Sequence, residues 1–431
     1  MKAEKPYHLF TFFSLYIAQS IPMSFFSTAL PVLMRQGNYP LFTIALLKLI
    51  KIPWLVKFLW SPLVDSRTES VRDYKRWIFG SETVYAILIF VVAIFNIEAN
   101  FTLIVFLIIL AFVSSATQDI ATDAMAARSF KREDTGLLNS IQAMGSFTGS
   151  MVGGGFLLLL FQKLGWNNLL PWVAIFVLIA LIPLAMNKKI RLRERKTKEK
   201  AKPKDMLLFF KQKNSWQQIV FLFLFYAGII GILASLSPFM VDLGYGMKEI
   251  GVMMGIFGIS IGIVGSFLTG ILIKKTGKTT SRKLISALIV FPATYFLLLT
   301  QAGSAGRVHI LVGIALVWGI YGMASTMMYT TAMDSVRDGR EGTDFTIQIV
   351  VSHLSAMIIT LISARIGDLF GYKGLFGSEW AIAAVSFVFV LFYQPLSHKN
   401  EPNNKHHSNS STAIAHKTQN KKCILENEIA Q

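Results

Sequence analysis

Long apolar runs are the feature of this sequence that most restricts its possible folds. Residues 77–97, 101–113 and 380–392 are three such runs. About 20 helical residues cross the hydrocarbon of a bilayer, where every backbone N–H and C=O needs an internal partner. Only 15% of the 431 residues are charged, against about 25% in a typical soluble protein. The sequence therefore predicts an all-α membrane protein.

We predict twelve transmembrane helices in two halves of six. Their ranges are 9–33, 41–61, 77–97, 101–125, 136–161, 167–186, 216–240, 249–273, 284–301, 308–331, 344–366 and 375–396. We number these spans 1 to 12. The predicted domains are a first half (1–186), a basic linker (187–215), a second half (216–396) and a disordered tail (397–431). The linker contains KKIRLRERKTKEKAKPK and no apolar face, which predicts a solvated, flexible connection.

The net charge of +18 is concentrated in alternate loops. The basic connectors follow spans 2, 4, 6, 8 and 10, and the opposite connectors carry few Lys or Arg. This asymmetry is a topology signal and not a nucleic-acid footprint. The positive-inside rule places both termini and the linker in the cytoplasm.

Two of these loops resemble each other and the G-x-L-x-D-x-x-G-R-R/K loop of the major facilitator superfamily. Residues 61–76 read SPLVDSRTESVRDYKR, and residues 270–283 read GILIKKTGKTTSRK at the equivalent place in the second half. An acid at a helix end pairs readily with neighbouring basic groups and helix dipoles. We expect a gating latch in this region, with a solvated turn as the alternative. Its candidate residues are Asp65, Arg72, Arg76 and Arg128.

Span 2 carries three lysines, Lys48, Lys51 and Lys57. A charge in the hydrocarbon needs a polar cavity or a partner. Lys57 lies near the span end, where a lysine side chain can extend to the interface. Lys48 and Lys51 are expected to face an interior cavity. The three cations indicate either an anionic substrate or structural pairing with embedded carboxylates.

Span 4 carries two carboxylates, Asp119 and Asp123, on one helix face. Two acids this close raise each other's proton affinity, as a proton-coupled carrier requires. The alternative is structural pairing with Lys57 or Arg128. Gln118 flanks the pair and is a candidate substrate ligand.

Spans 10 and 11 supply the remaining candidates. Tyr321 and Gln348 are assigned to substrate binding, and Asp344 and His353 to proton coupling. His353 titrates near neutral pH when unperturbed, although a satisfied interior histidine is the alternative.

Glycines cluster on spans 5 and 8, which face each other across the halves in this fold. They are Gly145, Gly149, Gly153, Gly154, Gly155, Gly251, Gly255, Gly258, Gly262, Gly265 and Gly270. Small residues allow close helix approach, so these glycines indicate either a sliding interface or static packing. No P-loop, zincin motif or nucleophile elbow is present, and no cofactor or metal site is predicted.

Three segments of the first half resemble a particular branch of the superfamily. They are residues 21–36 (IPMSFFSTALPVLMRQ), 57–65 (KFLWSPLVD) and 115–124 (SATQDIATDA). They are similar to the AmpG-like permeases of the peptide–acetyl-coenzyme A–drug transporter family. That resemblance implies import of muropeptides with protons across the bacterial inner membrane. Residues 341–348 (EGTDFTIQ) look closer to the sister RhtX/FptX branch, which imports ferric siderophores.

The leading hypothesis is thus a proton-coupled importer of a large anionic solute, acting as a monomer by alternating access. A ferric siderophore importer is the alternative within the same class. A membrane-embedded acyltransferase and a non-transporting sensor are the alternatives from other classes. The lysines of span 2 do not distinguish between these substrates, because both are often anionic.

Overall fold

The computed structural model describes residues 5–36, 47–97, 99–195, 197, 199–302 and 306–396. Nine helices within these residues are long and apolar enough to cross a membrane. Two of the nine hold a non-helical glycine, Gly165 (φ 73°, ψ 177°) and Gly371 (φ 67°, ψ −175°), so each covers two crossings. Together with the interrupted second span, they make up the twelve predicted crossings.

The first half contains spans 1 to 6. Spans 1, 3 and 4 are the helices Lys5–Gln36, Val71–Ile94 and Phe101–Ser129. Spans 5 and 6 are formed by Thr135–Met151, a π-helical turn Val152–Phe156, the helix Leu157–Ile179 with its break at Gly165, and Ile182–Met186.

The second half contains spans 7 to 12. Spans 7 and 8 are formed by Ser215–Leu224 with Ala227–Asp242, and by Met247–Ile250, the π-helical segment Gly251–Gly258 and Ile259–Thr276. Spans 9 and 10 are Lys278–Ala302 and Arg307–Asp334, and spans 11 and 12 share Glu341–Phe392, which turns at Gly371.

Span 2 is not the continuous helix that its apolar run predicts. Its described part consists of a 3-10 turn Leu47–Lys51, a helix Ile52–Val56 and a 3-10 turn Lys57–Leu59, and a further short helix, Ser61–Ser66, follows the end of the span. Pro53 and Pro62 each lie in the first turn of a short helix. Proline lacks an N–H donor and fits the start of a helix better than its interior. The predicted residues 41–46 lie outside the described residues.

The outer surface of the bundle is apolar, and many of its polar side chains are inside. Phe90, Phe106, Trp172 and Phe392 are each at least half exposed. In contrast, carboxyl and amide side chains in spans 1, 3, 4 and 12 are almost fully buried. This distribution suits a protein whose solvent is lipid.

Glycines pack helices mainly within each half, which differs from the sliding interface expected for spans 5 and 8. An added Cβ at Gly149 of span 5 would lie 2.5 Å from the Cβ of Ser20 in span 1. At Gly265 of span 8 it would lie 2.1 Å from the carbonyl oxygen of Gly319 in span 10. Gly270 does face span 5, and spans 5 and 8 are in contact as expected.

The loops after spans 2, 4, 6, 8 and 10 meet at one end of the bundle, which we call the basic end. Arg128 Nη1 donates to the carbonyl of Glu69 at 3.2 Å, joining the loops after spans 4 and 2. The hydroxyl of Thr135 donates to Asp334 at 3.0 Å and joins the two halves. Contacts of this kind are concentrated at the basic end.

The linker is bound to both halves and is not the solvated connection that its composition predicts. The N–H of Arg193 donates to the carbonyl of Arg128 in the first half at 2.8 Å. Arg340 Nε of the second half donates to Asp205 Oδ2 at 2.9 Å. The linker therefore forms a strap across the basic end.

Span 7 is interrupted at Phe225 and Tyr226, between its two helices. The hydroxyl of Ser386 donates to the carbonyl of Phe225 at 3.5 Å, and Ser355 bonds the carbonyl of Phe223. Hydroxyls of spans 11 and 12 thus bind carbonyls beside the break, as a helix interruption in lipid requires. Discontinuous spans frequently lie at the substrate sites of transporters.

Gly265→Ala is expected to destabilise the second half by about 1–3 kcal/mol, because overpacking against a backbone carbonyl forces the helices apart. Thermal unfolding in detergent measures the effect. Gly255→Ala is the matched control, since an added Cβ there meets nothing within 4 Å. Equal melting temperatures for the two variants would contradict this account of the packing of spans 8 and 10.

Candidate functional site

A buried ion pair lies inside the first half. Asp119 and Asp123 of span 4 are 3% and 2% exposed. Lys57 Nζ of span 2 binds Asp119 Oδ2 directly, and Gln19 Nε2 of span 1 donates to Asp119 Oδ1 at 2.9 Å. Because neither charge of the pair reaches water, each depends on the other for its stability.

Asp123 is held by neutral donors instead. Tyr16 OH donates to Asp123 Oδ1 at 2.8 Å, and Gln142 Nε2 donates to the same oxygen at 3.1 Å. Among the described residues, no cationic side chain forms an ion pair with Asp123. The two carboxylates of span 4 therefore differ, since one is neutralised by a lysine and the other is only hydrogen-bonded.

The lysines of span 2 occupy different environments. Lys57 is 1% exposed and lies 4.7 Å from the ring centre of Trp54, so it does not extend to the interface as expected. Its pairing with Asp119 is the structural partnership that the sequence left open. Lys51 is exposed, and the side chain of Lys48 lies outside the described residues.

The second half faces this charged group. His353 of span 11 is half-buried and lies within electrostatic range of Lys57, Asp119 and Lys51. Tyr329 of span 10 lies within electrostatic range of Asp119 and Asp123 on span 4. The charged group of the first half thus lies opposite spans 10 and 11, and the site is between the halves.

Aromatic rings also meet across the halves. Tyr321 of span 10 has its ring centre 5.6 Å from Phe147 of span 5 and 6.0 Å from Trp318. Tyr226, at the break in span 7, lies 6.1 Å from Tyr321. Trp318 Nε1 is buried and has no hydrogen-bond partner among the described residues. These rings form an apolar wall with an unused donor.

Gln348 and Asp344 are not part of this central group. Gln218 Nε2 donates to Gln348 Oε1 at 2.6 Å, and Gln348 Nε2 donates to the carbonyl of Ala332 at 2.9 Å. Arg337 binds Asp344 through Nε at 2.8 Å and through Nη2 at 2.6 Å. Both predicted residues therefore form hydrogen bonds or an ion pair inside the second half.

Gln118 is fully buried, and neither of its amide atoms has a hydrogen-bond partner among the described residues. Tyr16, Gln19 and Gln142 were not predicted, because nothing in the sequence shows that spans 1 and 5 bring them to Asp119 and Asp123. It also missed Glu82 of span 3 and Glu379 of span 12, both buried. The rule applied to the other spans, that an ionisable residue in the hydrocarbon is functional, would have found these two.

Asp65 joins the two halves at the place where the sequence predicts a latch, and we call its contacts the latch. Asp65 accepts hydrogen bonds from the N–H of Gly342 at 3.0 Å and from the N–H and hydroxyl of Thr343, both at 2.7 Å. These donors belong to the first turn of span 11, where unpaired N–H groups and the helix dipole favour a carboxylate. The latch thus joins the end of span 2 to the start of span 11.

Arg128 joins the two halves at the same place. Its Nε lies 4.0 Å from Glu341 Oε1, and Arg195 Nη2 of the linker lies 3.2 Å from Glu341 Oε2. Arg72 and Arg76 lie outside this network. Arg72 is exposed, and Arg76 forms an exposed ion pair with Asp73 at 3.7 Å.

Burial raises the pKa of Asp65, which lies beyond the end of span 2, to about 7. The carboxylate of Glu341 acts in the same direction, whereas the hydrogen bonds from Thr343 and Gly342 lower this pKa. Protonation of the latch is thus possible near neutral pH.

The family model of the Major Facilitator Superfamily matches residues 9–359. The chain therefore belongs to the major facilitator superfamily. The superfamily and the relatives described as transporters show that the chain is a multi-pass membrane transporter and not an enzyme. The acyltransferase interpretation is therefore excluded.

Two relatives confirm the resemblance to AmpG-like permeases. A protein of Rickettsia conorii described as a transporter, AmpG 4, is 24% identical over 409 residues, covering 91% of this chain and 97% of the relative. The anhydromuropeptide permease of Escherichia coli K12 is 27% identical over 279 residues, covering 64% of this chain and 56% of the permease. The chain thus spans little more than half of that permease.

Solved structures confirm the fold. The human organic anion transporter MFSD10 (TETRAN) matches with a TM-score of 0.70 at 13% identity, covering 89% of this chain and 99% of that one. The fucose:proton symporter of Escherichia coli matches with a TM-score of 0.67 at 13% identity, covering 90% and 98%.

Lys57→Gln is expected to destabilise the protein by about 3–5 kcal/mol, because it leaves Asp119 as a buried charge without its cation. The double variant Lys57→Gln, Asp119→Asn carries no charge at this place and should recover most of that loss. Unfolding in detergent of these two variants and of Asp119→Asn alone measures all three changes. Additive losses in the double variant would mean that the two side chains do not act as a pair.

Closure of the basic end is expected to weaken as the pH rises through about 7. The closed arrangement holds the proton of Asp65 more tightly than an open one, in which its pKa returns to the ordinary 3.8. In a variant without Cys423, spin labels are attached to cysteines introduced at the exposed positions of Arg72 and Lys274, one in each half. The distance between the two labels, measured at pH 6 and at pH 8, reports the opening. Asp65→Asn should remove the pH dependence, and an unchanged dependence in that variant would refute the role of Asp65.

Proposed function

We propose that this protein is a proton-coupled importer of muropeptide-like solutes, which bind between the two halves and cross by alternating access. The observation that carries the proposal is the buried group of Lys57, Asp119 and Asp123, facing spans 10 and 11. The relative described as an anhydromuropeptide permease supplies the class of solute.

Lys57 links the solute to the proton. A carboxylate of the solute competes with Asp119 for Lys57, since both are anions and the lysine is their shared cation. Once the solute holds Lys57, Asp119 loses its partner inside a buried site. A buried carboxylate without a partner takes up a proton. Solute binding and protonation are thereby coupled.

Asp123 is the second member of this proton site. It lies one helical turn from Asp119 and has neutral donors, Tyr16 and Gln142, in place of a cation. Two carboxylates this close cannot both remain ionised without a nearby positive charge, so they share the proton.

The remaining surface suits a solute that has both rings and charges. Lys51 is exposed, and with Lys48 it is assigned to the anionic groups of the solute. Phe147, Trp318 and Tyr321 offer an apolar wall, and Trp318 Nε1 offers a free donor. A sugar with attached peptide carboxylates presents both kinds of chemistry.

The structure has its basic end closed. The positive-inside rule assigns this end, with both termini, to the cytoplasm. A monomer in the bacterial inner membrane is part of the same proposal. The closed basic end then faces the cytoplasm. Opening requires the contacts of Asp65 and Glu341 with the opposite half and the linker to break.

A ferric siderophore is the second solute considered, and the geometry does not favour it. The resemblance to siderophore importers rests on residues 341–348. In the structure Glu341, Gly342 and Thr343 form the latch, and Asp344 and Gln348 are engaged in packing. That segment therefore carries little information about the solute.

Asp123→Asn is expected to abolish gradient-driven uptake, because the amide cannot carry a proton. Proteoliposomes with an imposed inward proton gradient are offered labelled anhydromuropeptide or, separately, a labelled ferric siderophore. Wild type should accumulate the muropeptide above equilibrium, and Asp123→Asn should only equilibrate it.

Asp242→Asn is the matched control, since Asp242 is exposed and bonded to Tyr372 far from span 4. It should accumulate the muropeptide as wild type does. Full accumulation by Asp123→Asn would refute the coupling role, and accumulation of the siderophore alone would refute the solute.

A further inference from the structure

Glu82 is a buried acid of span 3 that the central site does not use. Its side chain is fully buried, and neither carboxyl oxygen has a hydrogen-bond partner among the described residues. A carboxylate in such a place is disfavoured by several kcal/mol unless a cation or a proton neutralises it.

Further buried polar side chains lie on spans 3 and 4 at levels close to that of Glu82. Tyr85 lies one turn along span 3 within the electrostatic range of Glu82 and beside Ser115 of span 4. Spans 3 and 4 run antiparallel, so Glu82 lies at the level of Gln118, one turn beyond Ser115. The hydroxyls of Tyr85 and Ser115 face each other, and both amide atoms of Gln118 are buried without a hydrogen-bond partner in the described structure.

No cation is positioned to neutralise Glu82. Span 3 packs against span 4 and against the helix that contains span 6. The ionisable side chains of span 4 are Asp119, Asp123 and Arg128, and Arg128 is engaged at the basic end. Span 6 has no ionisable side chain between Trp166 and Met186. Among the described residues, a proton is therefore the remaining means of neutralising Glu82.

The unpartnered atoms indicate water. Each buried polar atom that lacks a hydrogen bond costs about 1–3 kcal/mol, and four such atoms belong to Glu82 and Gln118. A site with several convergent polar groups holds water where it has room, and water molecules satisfy groups of this kind. We call this cluster between spans 3 and 4 the chamber, and water held in it would satisfy these atoms.

The chamber borders the coupling site. Gln118 is the chain neighbour of Asp119, so the two side chains lie on adjoining faces of span 4. Gln19, which donates to Asp119 through Nε2, has its Oε1 buried and unpartnered. Polar atoms thus continue from Glu82 towards the Lys57–Asp119 pair.

We propose that Glu82 is a second proton-binding site of this carrier, connected to Asp119 through water held by Gln118, Ser115 and Tyr85. Glu82 stores the proton while Asp119 is paired with Lys57. When an anion takes Lys57, the proton leaves the Glu82 carboxyl and binds the Asp119 carboxylate, so the total charge of the group is unchanged. The coupling step rests on the proposed function, whereas the protonation of Glu82 does not.

Infrared spectroscopy of the purified protein tests the protonation directly. Wild type should show a carbonyl stretch of a protonated carboxyl at neutral pH that is lost in Glu82→Gln. Glu379→Gln is the matched control, since Glu379 is a buried acid with its own donors, Ser363 and Gly231, and its loss should leave the Glu82 band in place. If Glu82→Gln removes no such band, Glu82 is ionised and the proposal is overturned.

Transfer to deuterated water tests the connection. A proton in contact with chamber water exchanges, so the Glu82 band should shift within minutes. Gln118→Leu keeps Glu82 and should slow this shift, which gives an independent test if Glu82→Gln does not fold. A band that stays unshifted in wild type would show a sealed structural carboxyl and would overturn the proposal.

A transport assay distinguishes the loss of proton coupling from the loss of the folded structure. With labelled anhydromuropeptide in proteoliposomes, Glu82→Gln should lose gradient-driven accumulation but keep solute exchange at equal concentrations, which requires no net proton movement. Equal loss of both activities, or full accumulation, would overturn the coupling role. If wild type itself takes up no muropeptide, the proposed function fails, and the infrared measurements alone decide whether Glu82 binds an exchangeable proton.

Discussion

The ion pair between Lys57 and Asp119 is the interaction on which the organisation of the centre depends. Two charges removed from water are tolerated only in contact, so spans 2 and 4 are fixed to each other at this point. Gln19 adds span 1 to the pair. The same pairing leaves Asp123 without a cation, and this difference allows two acids on one helix to have separate roles. A solute able to replace either partner therefore changes the charge balance of the whole group.

Close glycine packing is mainly a feature of the contacts within each half, whereas the contacts that join the halves at the basic end are largely polar. Within a half, backbones approach closely at glycines such as Gly149 and Gly265, where a methyl group has no room. Between the halves at the basic end, the contacts are hydrogen bonds and ion pairs around Asp65 and Glu341. Close-packed regions resist deformation, whereas polar contacts near water can be exchanged for hydration. Each half is thus suited to move as a rigid body, with the latch as the reversible part.

The sequence predicted the crossings well because the apolar runs are set by the thickness of the bilayer. It could not predict the interruption of span 2, since Lys57 and the nearby prolines form short turns that tertiary contacts decide. The linker was mistaken for a solvated segment because its charges find partners, such as Arg195 with Glu341, that are distant in sequence. Glu82 and Glu379 were overlooked because one acid hardly lowers the hydropathy of a long apolar run. The acid pair of span 4 was recognisable from spacing alone, but its donors come from three other helices.

Gly165 and Gly371 show how the two halves are related. Each lies between the fifth and sixth crossings of its half, and their backbone angles agree closely (φ 73°, ψ 177° and φ 67°, ψ −175°). A positive φ of this kind is readily adopted by glycine alone, so each position constrains its residue type strongly. The residues around the two glycines, KLGWNN and LFGYKG, share little else. The repetition of a six-helix unit in the two halves is therefore visible here in backbone torsion angles, where the surrounding amino acids differ.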